Sequence, residues 1–151
     1  MNSTNSVTIE QKELIKDGNQ LLSWIKERPK DGFSDYSFLV APFAKAYEGF
    51  LKGLFLRHHL ITEKNYSSDR FRVGKVLNPA LQHKKWSVYR QLEEMGETGV
   101  KVAQRLWQAW KQGRNLIFHY FPHNYQKLTL EEAEERINGI LAAMREAEML
   151  L

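Results

Sequence analysis

Between residues 39 and 54 the apolar side chains recur every three or four positions, at Leu39, Phe43, Tyr47, Phe50, Leu51 and Leu54. That spacing lays them on one stripe of a 3.6-residue helix, and no stretch of the chain alternates convincingly with the period of two that a half-buried strand requires. The same signal repeats along the chain. Thr8-x-x-Gln11 is a capping box that opens a first helix through Leu14, Gly18, Leu21, Leu22 and Ile25 to a stop at Pro29. After a turn at 32–35, a second helix spans about 36–60, and Pro42 marks where it begins or kinks. The stretch 62–77 is polar and reads as irregular. Asn78-Pro79 is an N-cap and N1 pair for a third helix through Trp86, Tyr89 and Leu92 to Met95. A fourth carries Ala103, Leu106, Trp107, Trp110, Ile117 and Phe121 up to Pro122. Thr129-x-x-Glu132 is a second capping box, opening a last helix whose apolar face is Ala133, Ile137, Ile140, Leu141 and Met144. The expectation is a single all-α domain, an antiparallel bundle of about five helices, with residues 1–6 as a flexible polar end.

Composition narrows the chemistry. The chain of 151 residues has no cysteine, so disulfides and thiolate chemistry are excluded and a cytoplasmic setting is the expectation. No apolar run approaches the ~20 residues of a membrane helix, and no membrane partner is expected. The net charge of +4 leans towards an anionic partner, and its distribution says more than the total. Acids gather at 131–135 and 146–148, while Arg57, Arg70, Arg72, Lys75, Lys84, Lys85, Arg90, Lys101, Arg105, Lys111 and Arg114 fill the middle. A basic centre of this kind fits a phosphate backbone or an ordinary solvated surface.

The stretch Arg114-Asn115-Leu116-Ile117-Phe118-His119 sets a permanent cation, an amide and an imidazole close together. Helical geometry would stack Asn115 and His119 one turn apart, facing away from the core-directed Ile117 and Phe121. An Arg and a His at this spacing are common by chance. The neighbours add to the signal, because Leu116 and Phe118 occupy non-core positions and make the surface around His119 one built for contact. Arginine presents a fixed fork to phosphate oxygens, and a histidine imidazole moves protons near neutral pH.

Arg114-Asn115-x-x-x-His119, late in a helical bundle, resembles the Arg-x4–6-His signature of the HEPN superfamily of ribonucleases. Residues 42–52 (PFAKAYEGFLK) are similar to the helix that precedes this signature in the HEPN domain of ribonuclease LS-type toxins. The resemblance covers the chain from about residue 42 to its final helix. It implies an endoribonuclease that needs no metal or other cofactor and leaves 2′,3′-cyclic phosphate ends, with Arg114 and His119 as catalytic pair and Asn115 in support. Glu48 matches the polar residue that joins them in that family, holding His119 or Arg114, although a structural ion pair is an equal reading. Lys45 stands where the family carries an arginine that contacts RNA. The resemblance further implies RNA as substrate, a homodimer that brings two sites together, and a toxin–antitoxin or phage-defence role with a protein antitoxin as partner. A non-catalytic HEPN-like module that binds a partner protein or a nucleotide is the alternative.

Other residues carry weaker signals. Arg70-Phe71-Arg72 alternates cation, ring and cation on a predicted loop, which suits backbone and base together, so Arg70 and Arg72 are candidate RNA contacts. Tyr120 is a third, by stacking, although Tyr120 and Tyr125 equally fit packing of a helix end. Trp107 and Trp110 fall on the core stripe and read as packing. His58-His59 ends the second helix, where a cation complements the helix dipole. His119 and His123 are separated by Pro122 and make poor co-ligands, so no metal site is expected. There is no P-loop, GxGxxG, GxSxG or HExxH pattern, which leaves nucleotide hydrolysis by a P-loop, dinucleotide redox and zinc proteolysis without support.

Overall fold

The computed structural model describes residues 6–28 and 32–151, and among them every regular element is helical. Four long helices form the body: α1 (Ile9–Lys26), α2 (Ala41–Arg57), α6 (Glu97–Trp110) and α7 (Leu130–Leu150). Three short ones, α3 (Glu63–Ser67), α4 (Val73–Val76) and α5 (Val88–Glu93), fill the connection between α2 and α6. The all-α class and the bundle stand as the periodicity requires. Both capping boxes form, with Thr8 accepting from the Gln11 N–H and Thr129 from the Glu132 N–H. Pro42 lies in the first turn of α2, where its missing N–H costs nothing, and a 3-10 turn over Ser37–Leu39 leads into it.

The core is built around α2. Phe43, Tyr47, Phe50, Leu51 and Leu54 are all buried, together with Phe55, so the predicted stripe is the central wall of the bundle. Against it lie Leu106 and Trp110 from α6, and Ile137, Ile140 and Met144 from α7. Contact with α1 depends on Gly18: a Cβ there would come within 2.5 Å of the Phe43 ring. Gln11 is buried at the same interface, and its amide would meet a Cβ at Gly49 at 3.0 Å.

Three expectations about element boundaries need correction. The first helix ends at Lys26 with Glu27 as its cap, while Pro29 lies outside the described residues. Of the predicted flexible end, residues 1–5 are likewise outside; the Ser6 hydroxyl bonds to Glu148 and its carbonyl accepts from Arg57. The polar stretch 62–77 is not irregular throughout, because Thr62 and Asn65 form a third capping box that starts α3. The third helix does not begin at Asn78-Pro79; those residues open only a 3-10 turn over Pro79–Leu81. The true cap is Ser87, which accepts from the Arg90 N–H and starts α5. Trp86 therefore precedes a helix instead of sitting in one.

Gly18→Ala tests the α1–α2 contact. Alanine is favoured over glycine inside a helix by about 1 kcal/mol, whereas an extra carbon forced against a packed ring costs about 1–3 kcal/mol. The variant is expected to be less stable, with a lower denaturant midpoint and an unchanged slope. A more stable variant would mean that the contact is loose.

Candidate functional site

The sequence places Arg114 in the fourth helix, but the backbone there is no longer α-helical. α6 passes at Lys111 into one π-helical turn, Lys111–Asn115, closed by the Leu116 N–H donating to the Lys111 carbonyl at 3.0 Å. α7 pins this turn from the other side. Gly113 packs so close to Ile140 that a Cβ would lie 2.7 Å from its side chain, and Arg136 donates to the side chain of Gln112. The chain then bends over residues 116–119 and does not continue as a helix to Phe121. This corrects the expected stacking of Asn115 under His119: the π turn interrupts the α-helical ladder, the last such bond runs from the Phe118 N–H to the Arg114 carbonyl, and His119 belongs to the bend. Both side chains are nonetheless on the surface, and Ile117 is buried.

The turn delivers Arg114 to α2. Its Nη2 lies 2.9 Å from Glu48 Oε2, and its guanidinium carbon sits 4.9 Å from the centre of the Trp110 ring. Trp110 and Arg114 are four residues apart, the separation at which helical side chains meet. Trp110 is buried and tilted against Tyr47 at 6.4 Å, and the Tyr47 hydroxyl donates to the Leu106 carbonyl at 2.9 Å. Burial raises the Tyr47 hydroxyl well above the ordinary phenol range, so it is a fixed donor and takes no part in proton transfer. Arg114 is thus gripped on one side by a carboxylate and on one face by a ring, with a side chain still 43% exposed. Of the two partners expected for Glu48, the ion pair is made with Arg114.

His119 makes no hydrogen bond or ion pair to the described residues. Beside it, Phe118 and Tyr120 are 44% and 80% exposed. Lys45 is exposed one turn before Glu48 on α2. The segment after His119 is tied down at Asp35. One carboxylate oxygen accepts from the Ser37 N–H, the Ser37 hydroxyl and the Leu128 N–H, and the other accepts from Asn124 Nδ2 at 3.1 Å. Burial alone would raise the Asp35 carboxyl, but these donors prevail and hold it below its ordinary value. The bonds also hold His123 and Asn124 in left-handed backbone conformations that residues other than glycine rarely adopt. Tyr125 packs on Phe121 with ring centres 5.2 Å apart, whereas Tyr120 has no ring partner among the described residues.

Arg70 and Arg72 stand on a different wall. They flank a cleft of about 560 Å³ bordered by the end of α2, α4 and the residues before α5. Arg72 uses Nη1 on the carbonyls of Asp69 and Phe71, so part of its fork shapes its own loop. The cleft also gathers Lys75, Lys85 and Trp86, which the sequence marked only as basic residues and a helical tryptophan. The available signal was Lys84-Lys85-Trp86, a second cation–aromatic run of the kind seen at Arg70-Phe71-Arg72.

His58 departs from the expected cation at a helix end. Burial, with Arg57 and His59 alongside, pushes its imidazole below the ordinary value and favours the neutral form. Among the described residues no three His, Asp or Glu side chains are grouped so as to hold a metal ion, and no helix is long and apolar enough to cross a membrane. Comparison with known proteins finds no family model, no characterised protein and no solved structure that matches this chain.

The Asp35 clamp makes a pH-dependent prediction. A carboxyl lowered in the folded state contributes stability above its unfolded value, about pH 4, and loses it as pH falls through the lower folded value. Asp35→Asn is expected to lower Tm at neutral pH, with the gap to the wild type narrowing towards about pH 3. A gap constant across that range would show that the ionised carboxylate is not what holds the loop.

Proposed function

We propose that this chain is a metal-independent endoribonuclease of the HEPN type. The observation that carries the proposal is the Arg114–Glu48 contact at 2.9 Å. It joins the two segments whose resemblance to that superfamily was read separately, residues 42–52 and residues 114–119. A half-exposed ion pair contributes only about 0–1 kcal/mol to stability. Its larger effect is to orient a guanidinium that is still partly exposed and can meet non-bridging oxygens of a phosphodiester. A π turn is an uncommon deviation that recurs at functional sites, and here it carries Gln112, Gly113 and Arg114 together.

The chemistry asked of the site is modest in parts. The RNA 2′-hydroxyl attacks the adjacent phosphorus, its proton leaves to a base, and the 5′-oxygen departs with a proton from an acid, giving a 2′,3′-cyclic phosphate. His119, at the surface and without a bond to the described residues, supplies one of the two proton transfers. Arg114 stabilises the charge that builds on the phosphorane, Asn115 orients the imidazole or the phosphate, and Glu48 positions Arg114. One chain offers one such imidazole, so the second proton transfer calls for a second copy. The exposed Phe118 and Tyr120 beside His119 support two-fold pairing across this surface, which makes the working form a homodimer. A toxin of a toxin–antitoxin or phage-defence system in the cytoplasm, held in check by a protein antitoxin, is the corresponding biological role.

The same exposed rings favour one other reading, a binding module without catalysis whose partner covers Phe118 and Tyr120. Two variants separate them. Arg114→Ala and His119→Ala should each reduce RNA cleavage by about 10²-fold or more while circular dichroism and Tm stay near wild type. Glu48→Gln should give a smaller loss, because the guanidinium keeps its Trp110 contact. Cleavage at wild-type rate in the first two would leave the binding module as the function.

A further inference from the structure

We infer that the cleft between the end of α2, α4 and the start of α5 is a nucleotide-binding subsite, with phosphate held by Arg70, Lys75 and Lys85 and the base set against Trp86. Its volume of about 560 Å³ lies within the range of small-molecule sites. No carboxylate lines it, and among the described residues none of these three cations is in an ion pair. Four basic side chains, with Arg72, therefore share one concave wall in a chain whose whole net charge is +4. Such a wall repels itself and is stabilised by an anion.

The aromatic element gives the ligand its second half. Trp86 is 41% exposed, and the Lys75 ammonium sits 5.1 Å from the ring centre. A flexible, solvated ammonium is a replaceable partner. A base can take the ring face by stacking while Lys75, on its four-carbon stem, turns to the phosphate. Inorganic phosphate would use the cations alone, whereas a nucleotide uses both. Leu60 and Ile61 set the floor of the cleft, fixed by Gln91 Nε2 donating to the Leu60 carbonyl at 3.3 Å.

α4, which carries the cleft residue Lys75, also reaches the indole at the Arg114 site. Gly74, in α4, comes so near the Trp110 indole that a Cβ would lie 2.6 Å from Nε1, and Arg114 covers the ring of the same indole. The nucleotide could come from an RNA strand or from solution. The subsite rests on the ribonuclease reading only for the choice of RNA as its source.

The test uses the full chain and calorimetric titration with two probes, a short 2′-O-methyl oligoadenylate that cannot be cleaved and AMP. Arg70→Ala/Lys85→Ala, at two exposed positions, should weaken binding by about tenfold and, for the oligoadenylate, lower the slope of log Kd against log salt by about 1.4. Trp86→Ala should weaken binding by about tenfold with the salt slope unchanged. Oligoadenylate binding more tightly than AMP assigns the site to an RNA strand; equal affinities, both reduced by the variants, assign it to a free nucleotide. Failure of both probes to bind, or binding that neither variant alters, overturns the proposal. Binding through the cleft by a protein that cleaves no RNA would keep the subsite and remove the ribonuclease, and RNA cleavage by a protein whose cleft binds neither probe would do the reverse.

Discussion

The seam between α2 and α6 is what the rest of the molecule depends on, and Trp110 is its centre. The indole is buried against Tyr47, whose hydroxyl is bonded to the Leu106 carbonyl, so α2 and α6 are locked by a ring contact and a buried hydrogen bond at once. The outer face of the same indole carries the Arg114 guanidinium, and α4 approaches its edge at Gly74. Core packing and the candidate site are therefore not separable layers. A cation–π contact and a partly exposed ion pair each add about 1 kcal/mol or less, little beside the hydrophobic core. Their consequence is positional, because they fix one long side chain that would otherwise sample many rotamers.

Around this fixed point the polar devices hold backbone where helical hydrogen bonds have run out. The π turn leaves α6 with a looser ladder, and α7 compensates through Ile140 against Gly113 and Arg136 on Gln112. Past His119, the carboxylate of Asp35 collects donors from the 3-10 turn before α2 and from the loop before α7. The segment bearing His119 is thus anchored at both ends and open in between. The His119 side chain makes no bond to the described residues, which suits the proposed role of meeting a second molecule.

Much of this was legible in the sequence because helix formation is local. The two Thr capping boxes and the stripe from Leu39 to Leu54 depend on residues three or four apart, and these appear as read. The departures all involve competition from tertiary structure. Asn78-Pro79 has the right cap chemistry, yet the chain turns again before a helix can propagate, and Ser87 takes the role. The periodicity of α6 continues numerically to Ile117 and Phe121, but Gly113 lets α7 come close and the helix widens and ends. Arg114 and Glu48 could be named as candidates from sequence, while their contact is a property of helix packing. The gathering of Arg70, Lys75, Lys85 and Trp86 was likewise hidden, since it needs three short helices that pattern reading took for a loop and one long helix.

The most direct measurement of the central claim is the chemical nature of the ends made from a defined RNA by the purified protein in excess EDTA. The account predicts cleavage that persists in the chelator and leaves 2′,3′-cyclic phosphate on one fragment and a 5′-hydroxyl on the other, because the 2′-oxygen is the nucleophile and His119 and Arg114 are the chemistry. Intact RNA, or fragments carrying 5′-phosphate that vanish when the metal is chelated, would contradict it.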